Sequence, residues 1–208
     1  MEDSVLRCVL RPFGALILAV AFALPAAAQP AAPTDVVERF NAALLDVMQN
    51  ADELGFEGRY ERLDPVMSEV FDFRSMAQFA VGANNWQQLS EEQRDQLVDA
   101  FRRMSISSYA SRFDGYSGQS FRVVGAQDGP RGTTIVQSQI VRPNNEPVGL
   151  GYVLHQSGGE WRILDIILGQ TVSELSRTRS EYSSVLDREG FDALISNIEA
   201  AIARQRSG

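Results

Sequence analysis

The segment Tyr109–Phe121, YASRFDGYSGQSF, carries four aromatic residues across the point where a helical pattern changes to a strand pattern. Tyr109, Phe113 and Tyr116 are spaced i, i+4, i+7, which predicts that they share one face of a helix. The two glycines of the segment then predict a turn, because glycine breaks helices and accepts conformations closed to other residues. A wall of rings at such a junction is either ordinary core or the lining of an apolar cavity.

Upstream of this segment, apolar residues recur with helical spacing. The capping box Asp35-x-x-Glu38 predicts the start of a first helix. In a second helical segment, Pro65 predicts a break or a new start, because proline lacks the backbone N–H that a helix interior needs. Asp72 predicts the cap of a third helix, and Ser90-x-x-Gln93 predicts the start of the most regular helix of the chain.

Downstream of the segment, apolar residues alternate with a period of two, which predicts strands. Turn signals at 143–146 and 157–159 join four such strands into an antiparallel meander. The fourth strand, Trp161–Leu168, is apolar at both alternating sets of positions, which predicts that it is covered on both faces. Two more helices follow, separated by Gly190. The order predicts an α+β fold, with helices packed on a four-stranded antiparallel meander sheet.

The N-terminal residues have the composition of an export signal. Arg7 and Arg11 precede the apolar run Phe13–Leu24, and Ala26–Ala28 matches the small-residue site of a signal peptidase. The run is shorter than the roughly 20 apolar residues that span a bilayer, so a retained anchor is the weaker alternative. We therefore expect a signal peptide at residues 1–28, a flexible leader at residues 29–34 and a single domain at residues 35–208.

The composition argues against several function classes. The chain has a net charge of −8 and no lysine, so it lacks the basic footprint of a nucleic-acid-binding protein. Its one cysteine, Cys8, lies in the predicted signal peptide and its one histidine is His155, so a zinc site is not expected. No Gly-x-Ser-x-Gly motif supports a catalytic triad that uses this histidine. We interpret His155 as a surface or helix-contacting residue and expect no catalytic site, metal or cofactor.

Two carboxylates qualify that expectation. Asp165 lies in the middle of an apolar strand, and a buried carboxylate is costly unless it is paired. We interpret it as structural, held by an arginine such as Arg179 or by a helix N-terminus near Ser173. Asp114 is interpreted as a capping or turn residue. The alternative is a cone-shaped enzyme, such as an isomerase or dehydratase, in which either carboxylate acts with a tyrosine of the opening segment.

Several segments are specific in their order and spacing. They are Leu54–Gly82 (LGFEGRYERLDPVMSEVFDFRSMAQFAVG), Trp86, the Leu-Ser-x-x-Gln run from Leu89, the opening segment, Gly159–Gly169 (GEWRILDIILG) and Arg188–Ile195 (REGFDALI). Together they resemble the MlaC-type periplasmic lipid-binding proteins, also called the toluene-tolerance auxiliary transport family. The resemblance covers nearly all of the chain after the predicted signal peptide. The FDGYSG form also resembles a branch of that family associated with hopanoid biosynthesis.

The resemblance implies a periplasmic carrier that is not an enzyme. Such a carrier holds the acyl chains of a phospholipid in an apolar cavity between sheet and helices, with the headgroup near solvent. It exchanges the lipid between an outer-membrane lipoprotein/porin complex and an inner-membrane MCE-domain ABC transporter, in support of outer-membrane lipid asymmetry. The resemblance to the second branch makes a hopanoid or a related lipid the alternative cargo.

We expect the cavity wall to combine the apolar stripes of the helices with one face of the sheet. The helical candidates are Phe79, Val81, Trp86, Phe101, Met104, Tyr109 and Phe113. The candidates from the connection and the sheet are Tyr116, Phe121, Val123, Val136, Ile140, Leu150, Tyr152 and Leu154. At each of these positions, packed core is the alternative. Each acyl methylene removed from water contributes about 0.8 kcal/mol, so a lipid with roughly 30 methylenes gains on the order of 20 kcal/mol from enclosure.

Overall fold

The computed structural model describes residues 31–207 except Asn144 and Gln170. The helices are α1 (Pro33–Gln49), α2 (Ala51–Val70), α3 (Phe73–Val81), α4 (Ala83–Gln88), α5 (Glu91–Arg112), α6 (Glu174–Glu189) and α7 (Phe191–Ser207). The strands are β1 (Ser120–Asp128), β2 (Thr134–Arg142), β3 (Asn145–Ser157), β4 (Glu160–Leu168) and β5 (Val172–Ser173). The predicted signal peptide and residues 29 and 30 of the predicted leader lie outside the described residues. Within them, no helix is both long and apolar enough to cross a bilayer.

Side-chain caps begin two of the predicted helices. Asp72 accepts a hydrogen bond from a backbone N–H in the first turn of α3, and Ser90 forms a reciprocal capping box at the start of α5. Both caps confirm the prediction. The first helix begins earlier than predicted, at Pro33, because proline suits the first turn of a helix. Asp35 is therefore not the N-cap residue of α1 but its third residue, and its carboxylate accepts a hydrogen bond of 2.9 Å from the backbone N–H of the N-cap Ala32.

Pro65 lies inside α2, so the predicted break at this residue is wrong. The helix is interrupted instead at Gly55, whose φ of 58° and ψ of −171° are not helical. Leu63 and Met67, on either side of the proline, are fully buried. The burial of these two side chains stabilises α2, although Pro65 removes one backbone hydrogen bond from it.

The opening segment of the sequence holds the end of α5 and the bend into the sheet. Because α5 ends at Arg112, the prediction that Tyr116 shares a helical face with Tyr109 and Phe113 is wrong. Tyr116 is exposed in the loop that follows, while the rings of Tyr109 and Phe113 stack at 5.6 Å. Gly118 takes a φ of 87° in this loop, a conformation that favours glycine.

The sheet is an antiparallel meander with its strands in chain order, which confirms the predicted topology apart from the short fifth strand at one edge. Gly158 and Gly159 form the turn between β3 and β4 with φ of 61° and 85°, as a tight hairpin requires. The pairing register places the predicted inward residues on one face. They are Phe121, Val123, Val136, Ser138, Ile140, Val148, Leu150, Tyr152 and Leu154.

A β-bulge in β4 corrects the prediction that this strand is covered on both faces. Leu154 pairs with Ile163 and Tyr152 pairs with Ile166, so Leu164 is the extra residue between them. The bulge turns two isoleucines of opposite parity toward the same buried face. Apolar residues occur at both odd and even positions of β4 because the register changes at the bulge. On the opposite face of the sheet, Ile167 is only half-buried.

Helix α1 covers the inner face of the sheet, and Phe40 lies at the centre of the resulting core. Its ring makes edge-to-face contacts with Phe71 at 5.0 Å, Tyr109 at 5.2 Å and Tyr152 at 6.1 Å. On the far side of this core, α6 packs on α3 and α7, and α5 packs on α2, α3 and α7. Helices α5 and α6 therefore face each other across a space that neither fills.

Candidate functional site

A cavity of about 290 Å³ lies between α5 and α6, bounded by α3, α7 and the end of β4. It follows α5 from Phe101 to Arg112, which is about 16 Å of helix at 1.5 Å per residue. Its apolar lining is formed by Phe71, Met76, Phe101, Met104, Tyr109, Ile166, Leu175, Tyr182, Val185, Leu194, Ile198 and Ala201. The arrangement provides an elongated slot with a mainly aliphatic and aromatic lining.

The two ends of the slot differ in chemistry. At the deep end, the rings of Phe101 and Tyr182 meet edge to face at 6.0 Å and close the space. At the other end, the Arg112 guanidinium lies 3.9 Å from the Glu174 carboxylate. One end is therefore sealed by aromatic contact and the other, which we call the mouth, is bounded by charged side chains.

The serines and tyrosines that line the slot are uncharged. The Ser105 and Ser108 hydroxyls donate hydrogen bonds of 2.8 and 2.9 Å to carbonyls of their own helix. Burial raises the pKa of Tyr109 and of Tyr182, so both hydroxyls stay protonated at neutral pH. These four hydroxyls therefore add no charge to the slot, whereas Glu181 lines it as a carboxylate away from the mouth.

Asp165 fixes the start of α6 beside the mouth. Its Oδ1 accepts hydrogen bonds from the backbone N–H groups of Ile166 at 2.7 Å and Leu175 at 3.0 Å. Its Oδ2 accepts a hydrogen bond of 2.5 Å from the Ser173 hydroxyl, which also caps the helix through Ser176 N at 2.9 Å. This confirms the predicted contact with a helix N-terminus, and it commits both carboxylate oxygens to structure.

The predicted partnership of Asp165 with Arg179 is wrong, because Arg179 points toward α3. Its guanidinium lies 4.9 Å above the Phe79 ring, a cation–π contact between α6 and α3. His155 behaves as interpreted, since its Nε2 lies 3.0 Å from Oδ2 of Asp72, the cap of α3. Asp114 is exposed in the loop after α5. In the part of the chain that the structure describes, no group of three His, Cys, Asp or Glu side chains is arranged to hold a metal ion.

The mouth carries an arginine on each wall and a carboxylate between them. Arg177 donates a hydrogen bond of 3.0 Å to Glu174, the same carboxylate that Arg112 approaches. The arginine side chains are 58% and 59% exposed, so their remaining N–H donors are available to solvent or a ligand. Glu181 lies two helical turns beyond Glu174 and also lines the slot. An apolar slot under a mouth of both charges suits an amphipathic molecule.

The structure brings three of the predicted site residues, Phe101, Met104 and Tyr109, together along the slot. Phe113 stacks on the ring of Tyr109 and lies 6.4 Å from Phe121, so it continues the aromatic cluster toward the sheet. The lipid contact that we expect for these residues stays a prediction.

The other predicted residues lie elsewhere. Four of them are buried in the packed core of the sheet's inner face: Val136, Leu150, Tyr152 and Leu154. Three are half-buried toward the β1 edge of that face: Phe121, Val123 and Ile140. Val81 and Trp86 are buried in the α3–α4 region, whereas Phe79 and Tyr116 are exposed. Their assignment as lipid contacts likewise stays a prediction.

Sequence reasoning missed the wall that α6 and α7 contribute. The spacing of Leu175, Tyr182, Val185 and Leu186 predicts an apolar face on this helix, but the pattern does not assign that face to the cavity, which Leu175, Tyr182 and Val185 line. The sequence does not show that this face of α6 is separated from α5, because the distance between the two helices depends on how α3, α7 and Asp165 of β4 position α6.

The comparisons with known proteins agree on one family. Residues 38–200 match the MlaC family, described as MlaC protein. The chain is 25% identical over 185 residues to toluene tolerance protein ttg2D of Pseudomonas putida, covering 86% of this chain and 84% of that protein. It is 25% identical over 119 residues to the intermembrane phospholipid transport system binding protein MlaC of Haemophilus influenzae, 55% of each.

A solved structure shares the fold. It is a phospholipid-binding protein from Ralstonia solanacearum in complex with a phospholipid, with a TM-score of 0.72 and 21% identity. The match covers 84% of this chain and 99% of that one. The α+β arrangement of helices on an antiparallel sheet is therefore shared with that solved structure.

Proposed function

This chain belongs to the MlaC family, and from that premise we propose that it is a periplasmic phospholipid carrier and not an enzyme. The observation that carries the proposal is the slot between α5 and α6, whose lining is mainly aliphatic and aromatic and whose mouth carries Arg112, Glu174 and Arg177. The phospholipid in the Ralstonia solanacearum neighbour and the name of the Haemophilus influenzae relative support the choice of cargo. Against catalysis, both oxygens of Asp165 are already committed to capping α6.

The size of the slot implies a moving wall. Its volume of about 290 Å³ is at the lower limit of ligand pockets, which are commonly about 300–1,000 Å³. Two acyl chains therefore require α6 to move away from α5. Gly169 and Gly190 flank α6 with φ of 56° and 88°, and such joints can absorb a change in its orientation. Enclosure then contributes about 0.8 kcal/mol for each buried methylene.

The cargo and the route complete the proposal. Arg112 and Arg177 at the mouth suit a phosphate, which favours a phospholipid over a hopanoid that lacks one. The predicted signal peptide supports a periplasmic location. In that compartment the protein exchanges lipid between an outer-membrane lipoprotein/porin complex and an inner-membrane MCE-domain ABC transporter. The net charge of −8 limits its adhesion to anionic membrane surfaces on the way.

Lipid loading tests the carrier function. Ala201 lines the slot, whereas Ala203 is exposed on the same helix, so Ala201→Trp and Ala203→Trp form a matched pair. Each protein is purified from the periplasm, extracted with organic solvent and examined by lipid mass spectrometry. We expect stoichiometric phospholipid in the natural protein and in Ala203→Trp, and loss of most of it in Ala201→Trp.

Three outcomes contradict the proposal in different ways. Natural protein that carries no lipid contradicts carrier function altogether. Unchanged loading of a folded Ala201→Trp protein contradicts the slot as the site. Hopanoid in place of phospholipid contradicts the cargo and supports the alternative. Circular dichroism and thermal unfolding establish that each variant is folded.

The exchange route is tested by photo-crosslinking in the periplasm. Val172 is an exposed apolar residue near the mouth, and Val124 is an equally apolar exposed residue on β1. With a photoreactive amino acid at each position in turn, we expect the membrane complexes to be captured from residue 172. Absence of both an MCE-domain protein and an outer-membrane lipoprotein or porin from those adducts contradicts the route while leaving lipid binding intact.

A further inference from the structure

Gln205 of α7 brings an unused hydrogen-bond acceptor to the wall of the slot. We propose that this acceptor receives the free glycerol hydroxyl of a monoacyl phospholipid, so that the slot in its described shape binds a lysophospholipid. The inference rests on the proposed function, because it names a class of cargo for the same slot.

Ser108 determines which atom of the Gln205 amide is free. The Ser108 hydroxyl donates its single hydrogen to the carbonyl oxygen of Met104 at 2.9 Å, so toward Gln205 it can only accept. It accepts a hydrogen bond of 3.0 Å from Nε2 of Gln205. The other atom of the amide, Oε1, is buried, and none of the described residues places a donor within hydrogen-bonding distance of it. Gln205 therefore offers an acceptor, and not a donor, to a ligand.

A free acceptor at this wall distinguishes between lipids. A buried acceptor without a partner is costly, and a ligand that supplies a donor removes the cost. The ester oxygens of a diacyl phospholipid only accept hydrogen bonds, so they cannot pair with Oε1 of Gln205. In a lysophospholipid one ester is replaced by a hydroxyl, which donates. The chemistry of the wall therefore favours the monoacyl lipid.

The position of Gln205 along the slot matches the glycerol of such a lipid. Its partner Ser108 lies one turn of α5 before Arg112, which is about 6 Å from the mouth along the helix axis. Glycerol joins the phosphate to the acyl chain, so it occupies this depth when the phosphate lies at the mouth and the chain lies deeper. A hydroxyl on the glycerol therefore reaches Oε1.

The dimensions of the slot favour a single acyl chain independently of Gln205. The slot follows about 16 Å of α5. An acyl chain in a membrane occupies half of a hydrocarbon core about 30 Å thick, which is a similar length. The cavity volume of about 290 Å³ is at the lower limit of ligand pockets. One chain is therefore held without the movement of α6 that two chains require.

A competition between three lipids tests the inference. The protein is incubated with vesicles of diacyl phosphatidylcholine that contain equal minor amounts of lysophosphatidylcholine and of its analogue without the glycerol hydroxyl. It is then separated from the vesicles, and its lipid is quantified by mass spectrometry. The two monoacyl lipids share headgroup and chain, so the ratio between them reports the hydroxyl alone.

Three variants locate the effect. We expect the ratio of lysophosphatidylcholine to its analogue to fall about fivefold in Gln205→Leu, as the loss of one neutral hydrogen bond predicts. Gln205→Met keeps the length of the side chain and should show the same fall, which guards against a folding defect of the first variant. Ser105→Ala is the matched control, because the Ser105 hydroxyl on the same wall already donates to the carbonyl oxygen of Phe101. Its ratio should equal that of the natural protein.

Two results overturn the inference. One is an equal ratio in the natural protein and in the folded Gln205 variants, and the other is a natural protein that takes up only the diacyl lipid. In both cases lipid is still loaded, so the carrier function stands. A protein that takes up none of the three lipids overturns the inference and the carrier function together.

Discussion

The core under α1 is filled, whereas the space between α5 and α6 is hollow, although aromatic and aliphatic side chains line both. Under α1, the Phe40 ring reaches the sheet and meets three other rings. Between α5 and α6, Phe101 and Tyr182 meet only at the deep end. The difference shows that similar apolar side chains can form either a filled core or the lining of a cavity.

The two halves are also held in different ways. In the filled half, Asn41 of α1 donates to Ser138 at 3.1 Å and accepts from the Tyr152 hydroxyl at 3.0 Å, so the helix is fixed to the sheet by buried polar contacts. In the hollow half, α6 is fixed at its start by Asp165 and otherwise packs on helices. We therefore expect substitutions in the filled half to affect stability and those in the hollow half to affect binding.

Phe40→Ala has the largest expected effect. Removing a fully buried phenylalanine from a packed core costs about 3–5 kcal/mol of unfolding free energy. Met104→Ala, on the slot wall, costs less, because the side of Met104 that faces the slot has fewer packing partners to lose. Urea denaturation of both variants gives the comparison, and equal losses would mean that the hollow half is in fact packed.

Asp165→Ala has the next largest effect and acts at the boundary of the hollow half. The variant leaves the Leu175 N–H without its acceptor and the Ser173 hydroxyl without its carboxylate partner, which costs about 2 kcal/mol. We expect faster hydrogen exchange in α6 than in α1. Asp192→Ala, an exposed residue in the first turn of α7, serves as the control. Exchange that rises equally in α1 and α6 would contradict a local role.

Tyr152→Phe has a smaller effect in the filled half. It removes the donor to Asn41 and leaves a buried amide oxygen unpaired, at a cost of about 1–2 kcal/mol. Lipid loading should not change, because phenylalanine keeps the apolar ring at this position. Tyr116→Phe, at an exposed tyrosine, should leave the unfolding midpoint unaltered. A loss of lipid without a loss of stability would instead support Tyr152 as part of the site.

Asp72→Asn has the smallest effect and depends on pH. Burial disfavours the charged form of Asp72, but hydrogen bonds from Ser75 and Ser157 and the charge of His155 together lower its pKa. A lowered pKa in the folded state contributes stability above the unfolded value of about 3.9, and that contribution is lost as pH falls through the folded pKa. Asparagine retains the cap of α3, so we expect a difference of less than about 1 kcal/mol.

The measurement for Asp72 is urea denaturation of both proteins at neutral pH and at about pH 3, below the unfolded pKa. The natural protein should be the more stable at neutral pH, and the two should converge in acid. His155 lies in β3 and Asp72 at the start of α3, so the pair joins the sheet to a wall of the hollow half. A difference that grows in acid would contradict the sign of the pKa shift.

The sequence was informative wherever a local pattern decides the structure. The caps at Asp72 and Ser90 and the alternation in β2 and β3 predicted helix starts and strand faces correctly, because each depends on residues close together in the chain. Pro65 and Tyr116 were misassigned because tertiary packing and the actual end of α5 override local rules.

The slot was only partly predictable. The rings of α5 were expected to line a cavity, and three of the expected residues do line the slot. The opposite wall was not predicted, because the distance between α5 and α6 depends on how α3, α7 and Asp165 hold α6. Contacts of that kind join residues far apart in the chain and leave no periodic signal in it.

The bulge at Leu164 has a consequence for comparing this chain with its relatives. Before Leu164 the odd-numbered residue Ile163 faces the core, and after it the even-numbered residue Ile166 does. Whether a residue number is odd or even therefore indicates the buried face only within one half of β4. Deleting Leu164 would remove the bulge and restore regular alternation along β4. Either Ile163 or Ile166 would then point away from the core. A relative that lacks the extra residue must therefore be aligned with a one-residue gap at this point. Without that gap, the alignment matches a buried isoleucine of this chain to an outward-facing residue of the relative.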